Sequence, residues 1–143
     1  MRRGGCSHPV QTGAREVRDG RTPVEKEPQM ERDWRASNQS LTEAITVYRR
    51  EAPEVAAAFS GLAQAATRPG ALDPRTKELI ALAIGIAGRC DGCVGFHTQA
   101  ALRHGASRAE VLETIGVAIY MGGGPSYVYG AAALEAFGQL SGA

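Results

Sequence analysis

Asp73-Pro74-Arg75-Thr76-Lys77-Glu78-Leu79-Ile80-Ala81-Leu82-Ala83-Ile84-Gly85-Ile86-Ala87-Gly88 reads as one helix. Arg89-Cys90-Asp91-Gly92-Cys93-Val94-Gly95-Phe96-His97 follows it directly and opens the next. Asp73 is a natural N-cap, because its carboxylate can accept from the free N–H groups of the first turn. Pro74 suits the first helical position, where no N–H is needed. In the second segment Cys93 and His97 stand four residues apart, so on a helix they share a face, and Cys90 lies one turn the other way. Two thiols and an imidazole so arranged suit thiol redox chemistry. One thiol attacks, the base helps to ionise it, and the second closes a disulfide. A helix N-terminus further favours the thiolate.

From Ser40 onward every signal is helical. Ser40-Leu41-Thr42-Glu43 has the form of a capping box, with Leu41, Ala44, Ile45 and Tyr48 as a stripe behind it. Pro53 suits a helix start leading through Val55 and Phe59 to Leu62 and Ala66, and Arg68-Pro69-Gly70 breaks that helix. The motif helix ends at His104-Gly105, with glycine as C′ residue and His104 as its cap. Ser107-Arg108-Ala109-Glu110 is a second capping box, leading Val111, Leu112 and Ile115 to the break at Gly122-Gly123-Gly124. Pro125 then begins a last helix carrying Val128, Ala132, Leu134 and Phe137. No strand pattern competes. The expected fold is all-α, a compact bundle of about six short helices spanning residues 38–143.

Residues 1–37 differ. They are rich in Arg, Glu, Gly, Pro and Gln with scattered apolar positions and no helical or strand period, which predicts a disordered N-terminal extension. Met30 is a candidate alternative start, and Cys6 with His8 is too sparse a pair to read as a metal site.

With 16 Lys+Arg against 15 Asp+Glu in 143 residues, there is no electrostatic case for a nucleic-acid or anionic-membrane partner. The longest apolar run, Leu79 to Gly88, is about half of the ~20 residues that span a bilayer. Arg2-Arg3 lacks the apolar segment of an export signal. Three unevenly placed cysteines do not make a disulfide-stapled secreted domain, so a reducing, cytoplasmic setting is expected. The Leu79–Gly88 helix is apolar nearly all round, whereas a surface helix carries a polar face. A small domain seldom hides a helix on every side, which predicts a homo-oligomer in which other subunits cover part of it.

Glu78 opens that apolar helix, twelve residues before Cys90. Burial there would raise its pKa and suit it to proton transfer, while the plain alternative is a first-turn acid favoured by the helix dipole. Arg89 either lowers a neighbouring thiol pKa or ends its helix favourably. Tyr120, Tyr127 and Tyr129 are candidate pocket residues as well as core or interface residues. A zinc site would take Cys90, Cys93 and His97, with His104 or Glu78 as fourth ligand, but structural zinc usually joins separate segments.

Glu78, the apolar helix, and Cys90-x-x-Cys93-x-x-x-His97 together resemble the active-site signature of the AhpD-like alkylhydroperoxidases, in the carboxymuconolactone decarboxylase superfamily. The likeness runs from about Leu41 to Leu140. It includes Ala100-Ala101-Leu102-Arg103-His104-Gly105-Ala106, Glu110-Val111-Leu112-Glu113 and the Gly123–Tyr127 turn. The resemblance implies that Cys93 is the peroxidatic thiol, that Cys90 resolves it, and that His97 and Glu78 relay the proton. It also implies a peroxide substrate, a dithiol reductant as partner, no cofactor or bound metal, and trimers or hexamers. The best-known members carry a histidine between the cysteines, where this chain has Gly92. The superfamily's decarboxylases generally lack the CxxC. A non-catalytic dithiol sensor would share the redox chemistry without turnover. One geometric demand is plain: on straight helices Glu78 lies ~18 Å from Cys90 along its axis and His97 only ~10 Å back, at ~1.5 Å per residue. An unwound helix end near Ala87-Gly88 or a bridging water is expected to close that difference.

Overall fold

The computed structural model describes residues 32–142, which form six helices and no strand. They are α1 (Trp34–Glu51), α2 (Pro53–Thr67), α3 (Pro74–Ala87), α4 (Asp91–Arg103), α5 (Arg108–Gly122) and α6 (Gly124–Ser141). Most boundaries follow local chemistry. Asp73 caps α3 by accepting the Thr76 N–H at 2.7 Å, Pro53 and Pro74 stand in the first turns of α2 and α3, and Ser107 with Glu110 forms a full capping box on α5. Gly123, at φ 70°, turns the chain between α5 and α6, with Pro125 in the first turn of α6.

The start of α1 departs from expectation. Ser40 lies inside the helix rather than capping it, and Asp33 is the N-cap, accepting the Ala36 N–H at 2.9 Å. The reason is tertiary. Trp34 is 1% exposed and packs against Gly95 of α4, and its backbone N–H donates to Gln139 Oε1 of α6 at 2.8 Å. Burying an indole and anchoring it on α6 extends the helix by two turns beyond the local capping signal. Residues 34–37, read from composition as tail, therefore belong to α1. The readings made for residues 1–31, including Cys6, His8 and Met30, lie outside the described residues.

Helices α3 to α6 build the core. Leu82 and Ile86 of α3, Val94 and Ala101 of α4, Val111, Ile115 and Ala118 of α5, and Ala132, Ala133, Ala136 and Phe137 of α6 are all buried together with Trp34. Alanines on α6 let the helices approach closely, and Gly130 makes room for Ile115. α2 buries no residue, and its Val55, Phe59 and Leu62 face outward. On α3 only one side is covered, for Ile80 is 45% and Ile84 67% exposed. No helix among the described residues is long and apolar enough to cross a membrane.

Candidate active site

α3 and α4 form an antiparallel hairpin, and the site lies along their contact. α3 ends in a Schellman motif: Arg89 N–H donates to the Ile86 carbonyl at 3.2 Å and Cys90 N–H to the Gly85 carbonyl at 3.0 Å. The residue after the cap must then adopt a left-handed conformation, and here it is Arg89, at φ 54°. The chain reverses within three residues, so Cys90 is at once the end of the motif and the N-cap of α4. Its Sγ accepts the Cys93 N–H at 3.2 Å and is bonded to Cys93 Sγ, with the two Cα atoms 5.2 Å apart.

Gly85 sets how near the hairpin arms come. A Cβ there would stand 2.9 Å from Cys93 Cβ, so only glycine admits the α4 thiol at this level. From this contact Glu78 lies seven residues back along α3 and His97 four residues on along α4. That amounts to ~10 Å and ~6 Å of rise, a difference two side chains can span. They do so directly, with His97 Nδ1 and Glu78 Oε2 2.7 Å apart. Neither an unwound helix nor a bridging water is required, because the reversal at residues 88–90 brings the arms into register nearer than an origin at Cys90 implies.

Glu78 is 8% exposed and buried by the packing of α3, while His97 keeps about a third of its side chain open. A carboxylate can only accept, so an ionised Glu78 holds the proton on Nδ1 and leaves Nε2 as the basic nitrogen. His97 shares its α4 face with Cys93, one turn away.

α1 closes the other side of the CxxC turn. A Cβ on Gly92 would lie 2.5 Å from Leu41 Cδ2, so Leu41 occupies the place a side chain between the cysteines would need. Asn38, buried, donates from Nδ2 to the Gly95 carbonyl at 3.1 Å. Arg32 pairs with Asp91 at 2.9 Å, which holds the guanidinium pKa above its ordinary value, and it stacks 5.0 Å over Trp34. Beside this pair lies an open cavity of about 690 Å³, lined among others by Arg32, Ser37, Asp91, Val128 and Tyr129.

Thus Glu78 and His97 meet, Cys90 and Cys93 are joined, and His104 caps the far end of α4. Of the tyrosines only Tyr129 lines that cavity, for Tyr120 and Tyr127 are 84% and 68% exposed. No three His, Cys, Asp or Glu side chains among the described residues stand where they could share a metal ion. Asn38, the Arg32–Asp91 pair and the place of Leu41 against Gly92 have no sign in the local sequence pattern. Asp33, an N-cap residue immediately before Trp34, was the one local sign that α1 begins early enough to reach the site.

A crystal structure of an apo carboxymuconolactone decarboxylase family protein from Legionella pneumophila superposes with a TM-score of 0.74 at 51% identity, covering 76% of this chain and 96% of that one. An uncharacterized protein of Cupriavidus necator is 45% identical over 89 residues, 62% of this chain and 79% of its own length. One from Haemophilus influenzae is 34% identical over 105 residues, 73% of this chain and 93% of its own. The model of the carboxymuconolactone decarboxylase family matches residues 53–136, from the start of α2 to within α6. The chain belongs to the carboxymuconolactone decarboxylase family.

Proposed function

We propose that the protein is a thiol-dependent hydroperoxide reductase. The observation that carries this reading is the direct Glu78–His97 hydrogen bond, 2.7 Å long, on the α4 face that also presents Cys93, itself bonded to Cys90. In the reduced protein His97 takes the Cys93 proton, with Glu78 stabilising the imidazolium. The Cys93 thiolate attacks a peroxide oxygen, the O–O bond breaks, and the departing alkoxide takes the proton held by His97. This leaves an alcohol and a Cys93 sulfenic acid. The Cys90 thiolate then attacks Cys93 Sγ; the S–S bond forms, S–O breaks, and hydroxide leaves to be protonated as water. A dithiol protein restores both thiols by two exchange steps, becoming a disulfide itself. Such a cycle suits a reducing, cytoplasmic compartment.

Decarboxylation of a lactone acid, the reaction in the family's name, needs no pair of sulfurs, and the CxxC at this position favours thiol chemistry. Exposed Ile80 and Ile84 of α3, Val117, Tyr120 and Met121 of α5, and Phe59 and Leu62 of α2 supply apolar surface that a homo-oligomer, a trimer or hexamer, would cover.

The test is peroxide consumption with a dithiol reductant. Wild type should turn over and Cys93→Ser should not. Cys90→Ser should make a sulfenic acid once, trappable by dimedone, and stop. His97→Ala and Glu78→Gln should each slow the first step by about 10²-fold or more. Full turnover by Cys93→Ser would overturn the assignment. Disulfide formation without turnover would leave a dithiol sensor, and release of CO₂ from a lactone acid would favour the decarboxylase reading.

A further inference from the structure

Every positive φ among the described residues belongs to glycine except one: Gly105 at 79°, Gly123 at 70°, Gly142 at 77°, and Arg89 at 54°. A side chain in that conformation crowds the following carbonyl, and glycine avoids the conflict. The hydrogen bonds at the end of α3 therefore favour glycine at position 89, yet an arginine stands there, bonded in sequence to Cys90.

The charges around this end of the hairpin are otherwise balanced. Asp91 of α4 is paired with Arg32, and Glu78 of α3 with His97 of α4. From α6, Tyr129 lines the cavity beside Asp91, and the charge of Glu135 acts on Arg32. α5 ends nearby in Gly122, close to Ala87, and brings no acid there. The Arg89 side chain is exposed and joins no ion pair with a described residue. Among the described residues, no carboxylate stands within ion-pair distance of it. The neighbouring Sγ already faces a backbone N–H at the start of α4, at 3.2 Å. A cation and a helix N-terminus both favour a thiolate over a thiol.

We propose that Arg89 is a positioning residue for the dithiol, holding Cys90 as thiolate in the reduced protein, and that the left-handed backbone at 89 is tolerated for this charge. The thiolate so held is the group that attacks Cys93 Sγ in the resolving step, and the better leaving group when the disulfide is reduced. The proposal rests on the dithiol reading given above.

The experiment isolates Cys90. In the full chain carrying Cys6→Ser and Cys93→Ser, the thiolate absorbance of Cys90 is followed against pH for Arg89, Arg89→Gly, Arg89→Gln and Arg89→Lys. Thermal melting is recorded alongside. Arg89→Gly and Arg89→Gln should raise the thiol midpoint by about one unit, and Arg89→Lys should hold it near the parent value. Alkylation at pH 7 should slow by about threefold in the first two, since the rarer thiolate is also the more nucleophilic. Arg89→Gly alone should melt several degrees higher, because it alone relieves the backbone. A midpoint unchanged in Arg89→Gly and Arg89→Gln, or raised equally in Arg89→Lys, would overturn the proposal and leave Arg89 a helix terminator. Peroxide turnover is not read, so a protein that consumes no peroxide but shows the shift defeats the reductase reading alone.

Discussion

The two ends of α4 are built on the same backbone pattern with opposite choices of residue. At residues 101–107 the chain closes α4 with Gly105 N–H on the Leu102 carbonyl and Ala106 N–H on the Ala101 carbonyl, both at 2.9 Å. It then starts α5 with Ser107, which accepts the Glu110 N–H while Glu110 Oε2 accepts the Ser107 N–H. At residues 85–93 the same two bonds close α3, but Arg89 fills the glycine position and Cys90 the serine position. The residue that would complete a capping box there is Cys93. One junction follows helix-ending rules at every position, and the other departs from them at the three positions nearest the sulfurs. Departures from local preference gather where chemistry rather than stability selects the residue.

The hairpin junction is most sensitive at Gly85. Its added Cβ would meet Cys93 Cβ at 2.9 Å with backbone 3.4 Å away, so Gly85→Ala must push α3 from α4. Overpacking of this kind costs about 1–3 kcal/mol, measured by urea unfolding. It should also slow thiol chemistry, because Cys93 and His97 ride on the displaced helix. Gly105 is limited in the other way, for nothing lies within 4 Å of its Cβ position but φ is 79°. Gly105→Ala should cost about 1 kcal/mol from backbone strain and leave the thiols untouched. If Gly85→Ala proved as mild as Gly105→Ala, close approach of the hairpin arms would not be what places Cys93.

How much of this was legible in the sequence divides along the same line. The starts of α2, α3, α5 and α6 were readable from Pro53, Asp73-Pro74, Ser107 with Glu110, and the glycine turn before Pro125, because each depends on atoms within four residues. Cys90, Cys93 and His97 stand out as candidates from type and spacing, whereas Glu78 becomes one only through the family resemblance. The start of α1 was not, since Trp34 is fixed by Gln139, 105 residues away, and no local signal outweighed the capping box at Ser40. The Glu78–His97 bond was not legible either. Counting rise from Cys90 assumes that the arms meet at the turn, whereas they register at Gly85 and Cys93. Gly92 was read as a missing histidine. The structure adds that Leu41 fills that space, so the departure belongs to how α1 packs.

The smallest effect concerns acid. At the end of the hairpin away from the sulfurs, Arg75 links the caps of two helices, reaching Glu110 at 3.3 Å and Asp73 at 3.8 Å. The Thr76 N–H holds the Asp73 carboxyl below its ordinary range, and Ser107 does the same for Glu110. An acid whose folded pKa lies below its unfolded one stabilises the fold above the unfolded value and loses that contribution as pH falls through the folded one. Both groups are exposed, so the effect is small. It should appear as part of the decline in melting temperature between about pH 5 and about pH 3. Asn can still cap α3 and Gln can still complete the box on α5, so the double variant Asp73→Asn, Glu110→Gln should melt near wild type at pH 7 and decline less steeply in acid. The cation at Arg89 has no carboxylate partner among the described residues, so Arg89→Gln should leave that acid slope as it is. An unaltered slope in the double variant would mean that the caps at this end stabilise through their geometry alone, and the contrast between the junctions would then rest on residue shape rather than on charge.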